Sequence, residues 1–299
     1  MATIQLCLKH NNGRMPANAL CPTFVGNTDI VSLSSSKAFA RRLFPRIYET
    51  VQIHRMGRKL ATEGSPWAHN ALNDAVLSAV IRESLSTTST ALDVGAAHGR
   101  FAREMARVAK HGSVLAIEPV PSLTARLERM FRSNTNVSVL PYAVGKENKQ
   151  TDFWVCDSNV GLSGLATTQA ALESGTVQAI KVPVRTVDSI TTNLANIDLI
   201  KIDVEGGEYD VLHGAENTLS KYRPILAFEC TWHANEYTAS PNDVFELLAR
   251  LDYEVFEPTG YLRGTQPLSQ QYFVESIHGG HEFFFFAQHQ SESSGASIP

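Results

Sequence analysis

Cysteine is scarce in this chain of 299 residues. Cys7, Cys21, Cys156 and Cys230 form no Cys-x-x-Cys pair, and no histidine follows any of them at zinc-finger spacing. This excludes a structural zinc site and a disulfide framework, and it fits a reducing, cytoplasmic setting. Long hydrophobic runs are missing too: the longest aromatic cluster, Phe283 to Phe286, is strand-sized and far short of a membrane span. The chain also lacks the charge excess of a disordered protein, being 43% hydrophobic and 19% charged, enough to bury one large core or a core plus a small accessory domain. The net charge of −4 hides an asymmetry. Met1 to Leu60 holds nine basic and two acidic residues, the remainder seventeen and twenty-eight. An acidic body repels phosphates, so a nucleic-acid partner is not expected. The partners that fit are a small-molecule acceptor and, as an option, a second copy of the chain in a homo-oligomer.

The basic start reads as an irregular extension to Ser36, broken by Pro16 and Pro22, without the clean amphipathic helix of a transit peptide. Lys37 to Thr62 has a helical pattern interrupted at Pro45, in which Arg41 and Arg42 alternate with Phe39, Leu43 and Phe44 like a solvated helix face. Ser65-Pro66-Trp67 reads as a cap, a first-turn proline and the start of a helix running to about Ser86. Trp67, His69 and Asn70 are candidates for a lid over an active site, with packing as the alternative role for Trp67. Three segments result: residues 1–88 as an extension and helical cap, 89–290 as a cofactor-binding domain, and 291–299 as a disordered tail.

What the sequence does contain is a strand, a glycine turn and a helix start in unbroken succession at Ala91 to Phe101. Leu92 and Val94 form the apolar run, Asp93 falls near its end, and Gly95 and Gly99 allow a tight turn. Glu118 ends a second apolar run, Ser113 to Ile117, in the layout where a carboxylate accepts ribose hydroxyls. The dinucleotide pattern GxGxxG is absent, because Ala97 stands where its middle glycine would give room to a pyrophosphate. S-adenosylmethionine has no phosphate and tolerates the wider Gly95-x-x-x-Gly99 turn. On this reading Gly95, Ala96, His98 and Gly99 border the cofactor, Asp93 meets its ammonium, and Glu118 with Pro119 meets its ribose. Tyr142 and Ala143, after the third strand, fall beside the adenine, where Tyr142 either stacks on the base or serves as a core aromatic.

A second motif, Ile197 to Tyr209, alternates as a buried strand and ends in three acids, Asp203, Glu205 and Glu208, around two glycines. The carboxyl end of a central strand is where open α/β sheets bind ligands. Asp203 thus borders both cofactor and acceptor, and Asp203, Glu205 and His233 are candidate catalytic groups for taking a proton from a hydroxyl. Glu229, at the end of the next strand, is a candidate acceptor contact together with Trp67. Asp203 and Glu229 are also a conceivable magnesium pair, but Cys230 offers sulfur where a further oxygen is needed, so no metal requirement is expected. Strands near Ala91, Ser113, Val137, Ile197 and Pro224 alternate with helices near Phe101, Ser122, Tyr209 and Asp243, and Tyr253–Phe256 with Glu282–Ala287 reads as a closing antiparallel pair. Between Thr151 and Pro183 the alternation lapses.

These segments resemble the FkbM family of S-adenosylmethionine-dependent methyltransferases. The resemblance rests on Leu92 to Phe101, Ala116 to Pro119, Val184 to Asp188, Ile200 to Glu208 and Val211 to Ala215, and it spans roughly Ala91 to Cys230. It implies an α/β class I methyltransferase fold, Rossmann-like and doubly wound: a mostly parallel sheet with an antiparallel closing strand, preceded by a helical extension. It also implies S-adenosylmethionine as cofactor and a hydroxyl of a small molecule, such as a sugar or natural product, as acceptor. Asn159-x-Gly161-x-Ser163 matches a stretch common in that family and makes Ser163 a candidate acceptor contact. N-, carboxyl- or nucleic-acid methylation are alternatives, and a nicotinamide reductase or a non-catalytic binding module are more remote ones.

Overall fold

A computed structural model describes residues 66–156, 163–165, 172–173, 175–231 and 239–290, with the backbone alone described for 66–68. Residues before 66, the tail after 290, His233 and the side chain of Trp67 lie outside the described residues. The first described helix, α1, covers Pro66–Ser84; its proline, lacking an N–H, is tolerated because first-turn amides have no helical partner. Thr90–Val94 (β1) follows, then Arg100–Val108 (α2), Ser113–Ile117 (β2), Pro121–Phe131 (α3) and Val137–Leu140 (β3). After Ala143–Val144 (β4), Lys149–Cys156 (β5), Val177–Arg185 (β6) and the short helix Val187–Thr191 (α4), the chain enters Leu199–Ile202 (β7). Glu208–His213 (α5), Glu216–Tyr222 (α6), Ile225–Glu229 (β8), Pro241–Arg250 (α7), Tyr253–Phe256 (β9), Pro258–Arg263 (α8), Gln270–His278 (α9) and Phe284–His289 (β10) complete the described elements.

Seven strands form one sheet in the order β3-β2-β1-β7-β8-β10-β9, with β10 antiparallel to both neighbours and the other pairs parallel. The chain winds from β1 outward through β2 and β3, then returns to β7 on the other side of β1. The switch point lies between β1 and β7, where a crevice opens at the carboxyl ends of the strands. Alternate residues feed two cores. Leu92, Val94, Ile117, Ile200, Ile202 and Phe228 pack on one face, while Ala91, Val114, Ala116, Leu199, Ala227 and Phe286 share the other with Leu77, Val80 and Ile81 of α1. Burial on both faces is why these strands read as near-continuous apolar runs. Among the described residues, no helix is long and apolar enough to cross a membrane.

A second, three-stranded sheet, β4-β6-β5, corrects the reading of the lapse between Thr151 and Pro183. Two long strands run through part of that interval, paired antiparallel from Lys149↔Val184 to Cys156↔Val177. They escaped detection because most of their residues are exposed or only partly buried, so polar residues such as Gln150, Asp152, Gln178 and Lys181 interrupt the apolar pattern. Their buried side forms a third core, in which Phe153, Val182 and Val184 meet Val120, Leu123 and Ala143 beside the crevice.

Candidate functional site

The crevice is built on Gly95. Its φ is +77°, and a Cβ there would lie 1.8 Å from the Asp203 carbonyl oxygen, so only glycine lets the first turn pass this close to the end of β7. Ala97 also adopts a positive φ, 44°, an uncommon conformation for a residue with a Cβ. That turn aims its amide at Glu118. Glu118 Oε2 accepts from Ala97 N–H and Oε1 from Val120 N–H, both at 2.9 Å. Each carboxylate oxygen keeps a further lone pair for a ribose hydroxyl. Burial, the largest influence, raises the Glu118 pKa, against the lowering by those two amides.

Glu118, Pro119, Tyr142 and Ala143 line one cleft with Gly95, Asp203 and Glu205, and Phe153, Ser163 and Leu165 join from the side of the small sheet. The fold therefore assembles most of the expected cofactor residues together with Asp203 and Ser163. Ser163 is buried, and its hydroxyl accepts from Cys156 N–H at 3.0 Å. Four expected residues are not among those lining the cleft. His98 is exposed, Ala96 is buried in the α1 face of the core, and Gly99 packs toward Leu127 and Met130. Asp93, expected at the cofactor ammonium, is 1% exposed; its Oδ2 accepts from Ala102 N–H at 2.8 Å and Oδ1 lies 3.3 Å from Lys201 Nζ. Its carboxylate ties the start of α2 to the neighbouring strand.

Lys201 is the residue that sequence reasoning passed over. Register places it beside Asp93, and its ammonium donates to the Gly95 carbonyl at 2.8 Å while lying 3.2 Å from Asp203 Oδ2. Burial alone would lower its pKa; the Asp203 and Asp93 carboxylates outweigh burial and raise it. One buried cation thus holds both strand ends and the glycine turn. The available signal was a lysine in a strand otherwise made of leucine and isoleucine.

Beyond Lys201 the acids converge. Oxygens of Asp203, Glu205 and Glu229 all lie within 4.8 Å of one another, close enough to share a cation. Glu205 has φ +57°, a strained backbone of the sort that gathers at functional sites. Its carboxyl is pushed up to about 8, by burial first and then by Asp203 and Glu208. Burial likewise pushes Glu208 up to about 7, although its Oε1 accepts from the amides of Val204 at 3.0 Å and Gly206 at 3.2 Å. Glu229 is raised well above the usual carboxylate range, by burial and then by Asp203, Glu205 and Glu208. Burial also raises the Cys230 thiol, which is a neutral neighbour and no oxygen ligand.

A glycine-turned crevice at the switch point, with one acid just past β2 and an acid cluster after β7, defines a class I methyltransferase fold. The family model described as "Methyltransferase FkbM domain" matches residues 93–255, and the chain belongs to that family. It carries a methyltransferase domain, with S-adenosylmethionine as the cofactor of that domain. Among solved structures, methyltransferase FkbM from Methylobacillus flagellatus KT is similar at 17% identity and a TM-score of 0.41, over 68% of this chain and 44% of that one. Precorrin-6y C5,15-methyltransferase from Geobacter metallireducens GS-15 shows 12% identity and a TM-score of 0.38, over 62% and 73%. Aeropyrum pernix fibrillarin, in complex with natively bound S-adenosyl-L-methionine, shows 11% and 0.37, over 71% and 72%. No curated protein matches this chain.

Proposed function

We propose that the protein transfers a methyl group to a hydroxyl of a small molecule, with Glu205 as the proton acceptor. S-adenosylmethionine supplies a sulfonium methyl carbon open to in-line displacement. The cleft fits that cofactor: Gly95 leaves the turn without a side chain, Glu118 offers lone pairs to ribose hydroxyls, and Tyr142 and Phe153 give apolar area for a base. Holding the acceptor oxygen behind the methyl carbon is the main catalytic demand. An aliphatic hydroxyl must also lose its proton as it attacks, and a base near the operating pH serves best. Glu205, at about 8 and lining the cleft, is the observation that carries this reading. Asp203 stands beside it as a candidate acid, but the Lys201 ammonium at 3.2 Å holds it as an orienting carboxylate. We further propose that no metal is needed, because Lys201 already supplies positive charge to Asp203 Oδ2, one of the oxygens a cation would take.

Single-turnover measurements test this. Glu205→Gln lowers methyl transfer by about 10²-fold or more, the scale of a positioned base, while cofactor affinity stays within about threefold. In the unaltered protein the rate rises with pH toward about 8 and then levels, as Glu205 loses its proton, and it is unchanged by a chelator. A nearly normal Glu205→Gln enzyme alongside a dead Asp203→Asn enzyme transfers the base role to Asp203. Collapse in chelator with rescue by magnesium makes the acid cluster a metal site.

A further inference from the structure

A second cavity of about 220 Å³ adjoins the cofactor cleft, and Leu165, Glu205 and Gly207 line both. Val184, Val244 and Cys230 give it apolar walls. Two lysines reach it, and each is already paired: Lys146 Nζ lies 3.3 Å from Asp210 Oδ1 and Lys149 Nζ lies 2.8 Å from Glu147 Oε1. Among the described lining residues four acids, Glu147, Glu205, Glu208 and Asp210, outnumber the two lysines, which disfavours a phosphate or carboxylate. Deeper in, Glu208 is 4% exposed and lines this cavity without lining the cofactor cleft. Its Oε1 takes the Val204 and Gly206 amides and its own amide also donates to the carboxyl, which still leaves acceptor capacity for a ligand.

We propose that this cavity is the acceptor pocket and selects hydroxylated amines, such as amino sugars, over neutral and phosphorylated counterparts. The ammonium pairs with Glu208, and a hydroxyl then faces Glu205 on the wall shared with the cofactor cleft. This rests on the methyl-transfer reading above. Burial disfavours the charged form of both carboxyls, and an ammonium between them restores it. The amine therefore draws a proton off the pair as it binds, which readies Glu205 to accept the hydroxyl proton.

Calorimetry on the protein saturated with S-adenosylhomocysteine, using D-glucosamine, D-glucose and D-glucosamine 6-phosphate, tests the proposal. Glucosamine binds at least tenfold more tightly than either of the others and releases protons at pH 7, seen as a heat that depends on the buffer. Glu208→Gln keeps the oxygen that takes the two amides and shrinks the glucosamine-to-glucose ratio to within about threefold, a ratio that does not depend on the folded fraction. Thr151→Trp, filling the cavity from a partly exposed strand position, abolishes sugar binding and leaves S-adenosylhomocysteine affinity unchanged. Equal or weaker binding of glucosamine relative to glucose, or a ratio indifferent to Glu208→Gln, overturns the amine selectivity. Retained sugar binding in Thr151→Trp overturns the pocket. Failure of S-adenosylhomocysteine to bind speaks instead against the methyl-transfer reading itself.

Discussion

At the residue scale, the site depends on positions whose roles come from neighbours distant in sequence. Gly95 and Gly264 separate two costs of replacing a glycine. Both have positive φ, but a Cβ on Gly264 meets nothing within 4 Å, whereas on Gly95 it meets the Asp203 backbone. Gly264→Ala is expected to cost roughly 1–2 kcal/mol in urea denaturation, the left-handed penalty alone. Gly95→Ala costs about 1–3 kcal/mol more, the scale of overpacking, since a backbone atom cannot swing aside as a side chain does. Equal costs would mean the turn relaxes away from β7. Gly95, Glu118 and the acids after β7 were legible because turn chemistry and strand ends mark them locally. Asp93 was read as a cofactor contact, and its protein partners, Ala102 N–H and Lys201 Nζ, could not be read because they are fixed by the fold of α2 and the register of β7. Sequence spacing carries no such information.

At the element scale, the doubly wound sheet was legible wherever strands are buried on both faces, and the small sheet was not, because its strands are half-exposed. The closing pair, read at Tyr253–Phe256 and Glu282–Ala287, was legible as strand-sized apolar runs and is found as β9 and β10, joined at Phe286↔Phe256. The β5–β6 pair matters for function because it places Phe153, 6% exposed, in the wall of the cofactor cleft. Phe153→Ala is expected to weaken cofactor binding about tenfold or more, as loss of a buried aromatic contact would. Ile180 is its cross-strand neighbour in the same small core but does not line the cleft. Ile180→Ala leaves affinity within about twofold if lost apolar area acts locally. Equal weakening by both changes would show that the small sheet acts through its own stability and not through contact.

At the scale of the whole molecule, burying several acids at one end of the sheet makes stability depend on pH. Burial first, and then the neighbouring acids, push Glu205 up to about 8 and Glu208 up to about 7 in the folded chain, above their ordinary value of 4.5. Between those limits the folded state binds more protons than the unfolded one, so stability falls as pH rises. Their contribution is whole below about 4.5 and lost as pH climbs through 7 and 8. Lys201, raised, keeps its charge across this window and does not oppose the trend. The Tm is expected to fall from pH 6 to pH 9, and the fall is shallower in the Glu205→Gln, Glu208→Gln double variant. Identical slopes in the two proteins would place the acids in water.

These acids and the glycine turn have their chemical meaning only if the crevice between β1 and β7 holds S-adenosylmethionine with its ribose on Glu118. Calorimetric titration of S-adenosylmethionine into the unaltered protein and into Glu118→Ala measures this most directly. The expected result is saturable binding that weakens by about 1–3 kcal/mol in the variant, the scale of a lost hydrogen bond to a charged group. Unchanged affinity in a folded Glu118→Ala protein, or tighter binding of a nicotinamide dinucleotide than of S-adenosylmethionine, would contradict it.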